Sequence, residues 1–324
     1  MTGAELSARL RASLGEPMPL PGSGRTVDRH RRLMETGRED LSLARLAEAH
    51  WDAVAILAEA GRTPEAGALY AVWASEIPNQ PLSLGVSGSS RTISGKKMFC
   101  SGAGLVDHAL VTVGEPAHRL IDIDLNASGS SVLFDDSAWK TTAFQEIRTS
   151  TASFSATPVS EEDFVGDAGW YLERTGFWHG ACGPGACWAG GAAGLVDWAL
   201  EQKRDDPHTL AHLGAMRSST WALEAYLDSA GAEIDKQPED LCAAKIRALM
   251  LRHLVEQECT NILRRLPRAC GPYPLAMHEQ TVRRYQELDL YLRQSHAERD
   301  LEALGRGIRS CQSEKSGFYR LQER

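Results

Sequence analysis

Between residues 241 and 267 the sequence reads LCAAKIRALMLRHLVEQECTNILRRLP, and Leu241, Ala244, Ala248, Leu251, Val255, Cys259, Ile262 and Leu266 recur on one stripe at helical spacing. An apolar stripe of that length is buried only against other helices, so this part of the chain must pack as a bundle. Pro267 is expected to end the helix, because its ring clashes with the preceding turn and removes a donor. Residues 215–235 and 278–304 supply two further helical patterns. Residues 176–202, GFWHGACGPGACWAGGAAGLVDWALEQ, supply another with an unusually small, glycine-rich face.

The pattern is different upstream. Over residues 41–60, Leu43, Leu46, Ala47, Val54, Leu57 and Ala58 mark an amphipathic helix, with Gly61 as its stop. Residues 1–40 hold shorter helical pieces around the break GEPMPLPGSG. From about 68 to 165 the segments ALYAVWAS, HALVTV, RLIDIDL, SSVLF and ASFSATPV are short, β-rich and bounded by Gly, Ser, Asn and Pro. They follow one another too closely for crossover helices, so antiparallel pairing is expected. The reading is an α+β chain with a small helical unit over 1–66, an antiparallel β domain over 67–167 and a helical bundle over 168–324.

Thirty-five Lys and Arg against 43 Asp and Glu give a net charge of −8. No dense basic patch offsets it, which disfavours nucleic acid and anionic membranes as partners. Seven scattered cysteines form neither a disulfide framework nor a zinc-ligand spacing, so they are expected to be mostly reduced and packed, and no metal is expected. No run spans a bilayer, and the charged first residues lack the apolar core of a signal peptide, so the expected location is the cytoplasm.

Four stretches carry a resemblance. Residues 93–113 (ISGKKMFCSGAGLVDHALVTV), 144–166 (FQEIRTSTASFSATPVSEEDFVG), 171–197 (YLERTGFWHGACGPGACWAGGAAGLVD) and, more remotely, 268–301 (RACGPYPLAMHEQTVRRYQELDLYLRQSHAERDL) resemble, in that order, segments of the acyl-CoA dehydrogenases. The resemblance covers roughly residues 40–305, and the N-terminal helical part is about half the length that family uses. It implies an FAD-dependent oxidoreductase, a homodimer or homotetramer, that oxidises the Cα–Cβ bond of an acyl-CoA thioester. The flavin would lie between the β domain and the bundle.

On that resemblance Phe99 would lie against the isoalloxazine ring and Ser101 would hydrogen-bond near N5. Arg148 and Thr149 would stand at the flavin edge, Trp73 and Ser75 would begin a flavin-contacting loop, and Arg204 would reach the pyrophosphate of a neighbouring subunit's cofactor. The residues alone equally allow a hairpin with Phe99 in the core, a core-filling Trp73 and a solvated Arg204. The chemistry also needs a base for the α proton. The family's late "EGT" glutamate has no counterpart in LYLRQSHAERD, where Ser295 and His296 fall near its position on what is expected to be an inward helical face. His296 is one candidate base. Glu173, which matches the "LER" of the subgroup resembling isovaleryl-CoA dehydrogenases, is the other, and His179 is a further pocket candidate. The missing glutamate keeps two alternatives open: a flavin-dependent monooxygenase on the same fold, and an inactive homologue serving as a binding or structural protein.

Overall fold

The computed structural model describes residues 2–77, 80–114 and 117–322, and the side chains of residues 2–77, 80–114 and 117–310. The helices are α1 (Gly3–Ser13), α2 (Thr26–Glu39), α3 (Leu41–Glu59), α4 (Trp170–Glu173), α5 (Thr175–Gly180), α6 (Cys182–Glu201), α7 (Pro207–Lys236), α8 (Leu241–Cys270), α9 (Tyr273–Met277), α10 (Glu279–Leu292) and α11 (Glu298–Gln322). The strands are β1 (Tyr70–Trp73), β2 (Ser83–Ser87), β3 (Ser90–Cys100), β4 (His108–Val113), β5 (Arg119–Asp124), β6 (Val132–Asp135) and β7 (Ser150–Val159). The chain divides into two compact units, Met1–Met18 with Ser42–Phe177, and Pro19–Leu41 with Trp178–Arg324.

The first unit holds two sheets, ordered β1-β4-β5 and β2-β3-β7-β6. Among the described residues all strand pairs are antiparallel except one: β1 runs parallel to β4, with Tyr70 opposite His108 and Trp73 opposite Val111. The expected antiparallel pairing holds for the other pairs, and β1–β4 is the departure. The β2–β3 excursion, rather than a helix, provides the crossover that a parallel pair needs. α3 packs its apolar side into this unit, and Ala53, Ile56 and Leu57 share a core with Tyr70, Leu110, Leu120, Val165 and Tyr171.

The second unit is helical. Asp206 caps α7 by accepting from the Thr209 N–H, with Pro207 in the first turn, and Asp240 caps α8 through the Ala243 N–H. The small face of α6 lets α2 approach closely: a Cβ on Gly37 would stand 2.6 Å from the Cys187 carbonyl oxygen, and one on Gly190 would collide with that of Met34. Two expectations fail in this unit. Pro267 lies inside α8, which runs on to Cys270, because losing one hydrogen bond in the last turn costs little in a helix packed along its length. The pattern over 278–304 is broken between α10 and α11, where Ala297 takes a left-handed φ of 48°. Cys100, Cys182, Cys187, Cys259 and Cys270 are free and buried, while Cys242 is disulfide-bonded.

Candidate functional site: a strained hydroxyl edge on the β unit

Strand β3 ends at a bulge. The register with β7 shifts between Lys97 and Cys100, and Phe99 within it has a φ of 59°, a region L-residues enter at a cost of roughly 1–2 kcal/mol. The bulge turns the Phe99 ring outward, leaving the residue 57% exposed rather than packed in a core. The chain then closes a tight turn, the Ser101 N–H donating to the Phe99 carbonyl at 3.0 Å. The next residues dock onto the segment before β7: the Gly102 N–H donates to Ile147 O (2.8 Å) and the Ala103 N–H to Arg148 O (3.2 Å). Gly102, at φ 82°, passes close enough that a Cβ would press on Val106 and Leu46.

This docking brings Ser101 and Thr149 together, their hydroxyls 3.0 Å apart. Beneath them the buried Trp73 indole donates from Nε1 to the Ser101 carbonyl at 3.0 Å and meets Phe134 edge-on at 5.9 Å. Trp73 is thus a strut for the turn. Arg148 also has a left-handed φ, 46°, and its guanidinium holds Asp136, whose other carboxylate oxygen accepts from the Ser150 hydroxyl. Phe144, at φ 60°, is buried with the Arg45 guanidinium 4.6 Å over its ring. Two of the five non-glycine residues with left-handed φ among those described, Phe99 and Arg148, therefore lie within two residues of Ser101 or Thr149. Strain of that kind persists where surrounding structure enforces it, and it collects at ligand sites.

Ser75 lies in the exposed segment directly after β1, and its carbonyl accepts from the Lys97 ammonium at 3.0 Å. Lys97 is 99% removed from solvent, although the sequence reading did not select it. A signal was present: Lys97 shares strand parity with buried Ile93, whereas its neighbour Lys96 has the exposed parity.

The other selected residues stand apart from this edge or belong to the second unit. Glu173 ends the short α4 and is exposed, its carboxylate over Gly169, where a Cβ would meet it at 3.2 Å. In the second unit Arg204 is exposed, 3.7 Å from Asp206. His296 follows the end of α10, is exposed and pairs with Asp300 at 3.2 Å, so the inward helical face expected for it is not formed. His179 is buried, with Nε2 2.8 Å from the Pro238 carbonyl. Among the described residues no group of three or more His, Cys, Asp or Glu side chains is arranged to hold a metal, and no helix is long and apolar enough to cross a membrane.

No protein-family model matches the chain, and no curated protein matches it. Solved structures do. FMN-bound TdsC from Paenibacillus sp. A11-2, a dibenzothiophene monooxygenase, superimposes with a TM-score of 0.74 at 15% identity, over 94% of this chain and 95% of that one. The chain has the acyl-CoA dehydrogenase-like fold. A nitrososynthase from Micromonospora carbonacea var. africana shares this fold with a TM-score of 0.73 at 14% identity, over 89% of each chain. So does the methanesulfinate monooxygenase MsuC from Pseudomonas fluorescens, at 0.69 and 16% identity over 94% of each.

Proposed function

We propose that this chain is a flavin-dependent monooxygenase whose flavin rests on the Ser101–Thr149 edge. The observation that carries the reading is the convergence of that hydroxyl pair, the Trp73 strut and the outward Phe99 on one strained turn. The donor set fits the cofactor. Two neutral hydroxyls that can each give or take a hydrogen bond suit the nitrogen and oxygen rim of an isoalloxazine, and an exposed aromatic ring suits its face. A reduced flavin bound there supplies the electrons that activate dioxygen. The residues' own work is binding: Ser101 and Thr149 orient the rim, Trp73 keeps the turn from sagging, and Phe99 covers apolar ring surface. FMN, found with TdsC, is the form we favour over FAD.

Oxygenation is preferred to acyl-CoA dehydrogenation because it asks for no carboxylate to remove an α proton. Glu173 is exposed, and His296 is exposed and engaged by Asp300, so neither is enclosed in a pocket where it would meet a substrate's α proton. The proteins of like fold include monooxygenases of a thiophene and a sulfinate, which points to small molecules with an electron-rich sulfur, nitrogen or aromatic centre as the substrate class. A homodimer or homotetramer belongs to the same proposal and rests on the family resemblance alone.

The test supplies purified protein with FMN, a reducing system, isotopically labelled dioxygen and a panel of thiophenes, sulfinates, amines and indoles. Gain of one labelled oxygen in a product is expected. Absence of labelled product, together with anaerobic bleaching of bound flavin by an acyl-CoA that slows in Glu173→Gln, overturns the reading in favour of dehydrogenation.

A further inference from the structure

Lys97 carries a charge into the interior of the β unit, and its surroundings are complete. An ammonium has three donors. Here they reach the Ser75 carbonyl at 3.0 Å, Glu76 Oε1 at 2.8 Å and Thr112 Oγ1 at 2.7 Å. The Thr112 hydroxyl in turn donates to the same Glu76 oxygen at 2.6 Å. Every member is satisfied, the condition under which a buried polar network fixes one geometry. A buried charge held this way is weak evidence for stability, since its desolvation offsets much of the attraction, and the network is read as a device for position.

What it positions is specific. Ala74, Ser75 and Glu76 are exposed and belong to no helix or strand, yet the ammonium binds two of them from beneath. Lys97 itself lies on β3, two residues before Phe99 and four before Ser101. The two segments that the flavin reading uses, Trp73–Ser75 and Phe99–Ser101, are thereby joined at both ends: by the Trp73 indole on the Ser101 carbonyl and by the Lys97 ammonium on the Ser75 carbonyl.

We propose that Lys97 is a positioning residue for the cofactor site, its ammonium locking the 73–76 segment to strand β3 so that both segments meet the flavin as one surface. This rests on the flavin reading. Lys97 touches neither substrate nor cofactor in the proposal and acts through Ser75 and Glu76.

The test compares wild type with Lys97→Met and with the triple variant Lys97→Met, Glu76→Leu, Thr112→Val, which removes the network without leaving a buried unpaired group. The triple variant is expected to melt near the wild-type temperature without flavin, to bind FMN at least about tenfold more weakly, and to lose fine structure in the visible band of what flavin it binds. A merely structural lysine would move the melting temperature and not the band. A folded triple variant with wild-type FMN affinity and spectrum overturns the proposal. Wild-type protein that takes up no flavin defeats the flavin reading instead. Should neither variant fold, competitive acylation of native wild-type protein decides the lock: Lys97 should react far more slowly than its neighbour Lys96, and equal rates overturn it.

Discussion

Phe99 offers a sign test of the strained turn. In an ordinary strand, replacing alanine by glycine destabilises a protein by roughly 0.5–1 kcal/mol through lost chain entropy. At a φ of 59° the balance reverses, because any side chain with a Cβ costs roughly 1–2 kcal/mol in the left-handed region and glycine does not. The difference leaves Phe99→Gly more stable than Phe99→Ala by about 0.5–1 kcal/mol. Both variants lose the ring, and since the residue is 57% exposed that shared loss is about 1 kcal/mol, less than half of what full burial of a phenylalanine contributes. Urea unfolding of the two variants without flavin measures the difference directly, with equal slopes required for the comparison. Phe99→Ala more stable than Phe99→Gly would refute the strained bulge. The same pair should bind flavin equally poorly, since both lack the aromatic face.

Trp73→Phe removes the indole donor to the Ser101 carbonyl and should cost about 1–3 kcal/mol of stability, read by denaturant unfolding, while weakening FMN binding more than an equally destabilising change in the second unit. Buried His30 in that second unit faces the Leu227 carbonyl at 3.0 Å, and burial lowers its pKa from the ordinary 6.5 to about 4. Its folded pKa is depressed, so the unfolded chain takes up the proton first: the stability is full above about pH 6.5 and is lost as pH falls toward 4, to about 3 kcal/mol in total. His30→Gln should flatten the stability profile between pH 7.5 and pH 5 by roughly 2 kcal/mol relative to wild type, and an unchanged slope would refute the buried neutral imidazole.

The bundle was legible because its apolar stripes are long. The Leu241–Leu266 stripe, the small face of α6 and the amphipathic α3 each have one dominant period that tertiary packing reinforces. Strands β1, β4, β5, β6 and β7 were legible from β-branched and aromatic runs. β2 was not: SLGVS holds one β-branched residue, a glycine and two serines, and its residues are mostly exposed, so only pairing with β3 makes it a strand. The parallel β1–β4 pair was hidden for the reason that local spacing reports what connects strands and not which strands become neighbours. The break before α11 was also invisible, since helical periodicity continues through Ser295 and His296 while a single left-handed Ala297 ends the geometry.

Within the candidate site, Ser101, Thr149 and Trp73 were selected through family resemblance, and their contact is a matter of geometry that sequence spacing of nearly 50 residues does not encode. Lys97 was missed because the run GKKM reads as a solvated stretch. Its burial depends on which of two adjacent lysines faces inward, and that is set by the register with β7 and the bulge that follows.

Titration of the purified chain with FMN and FAD, followed by flavin fluorescence and visible absorbance, tests the hydroxyl edge most directly. Saturable binding of one flavin per chain is predicted, weakened at least about tenfold when Ser101→Ala and Thr149→Val are combined. Protein that binds neither flavin, or a double variant that binds as tightly as wild type, would contradict the account.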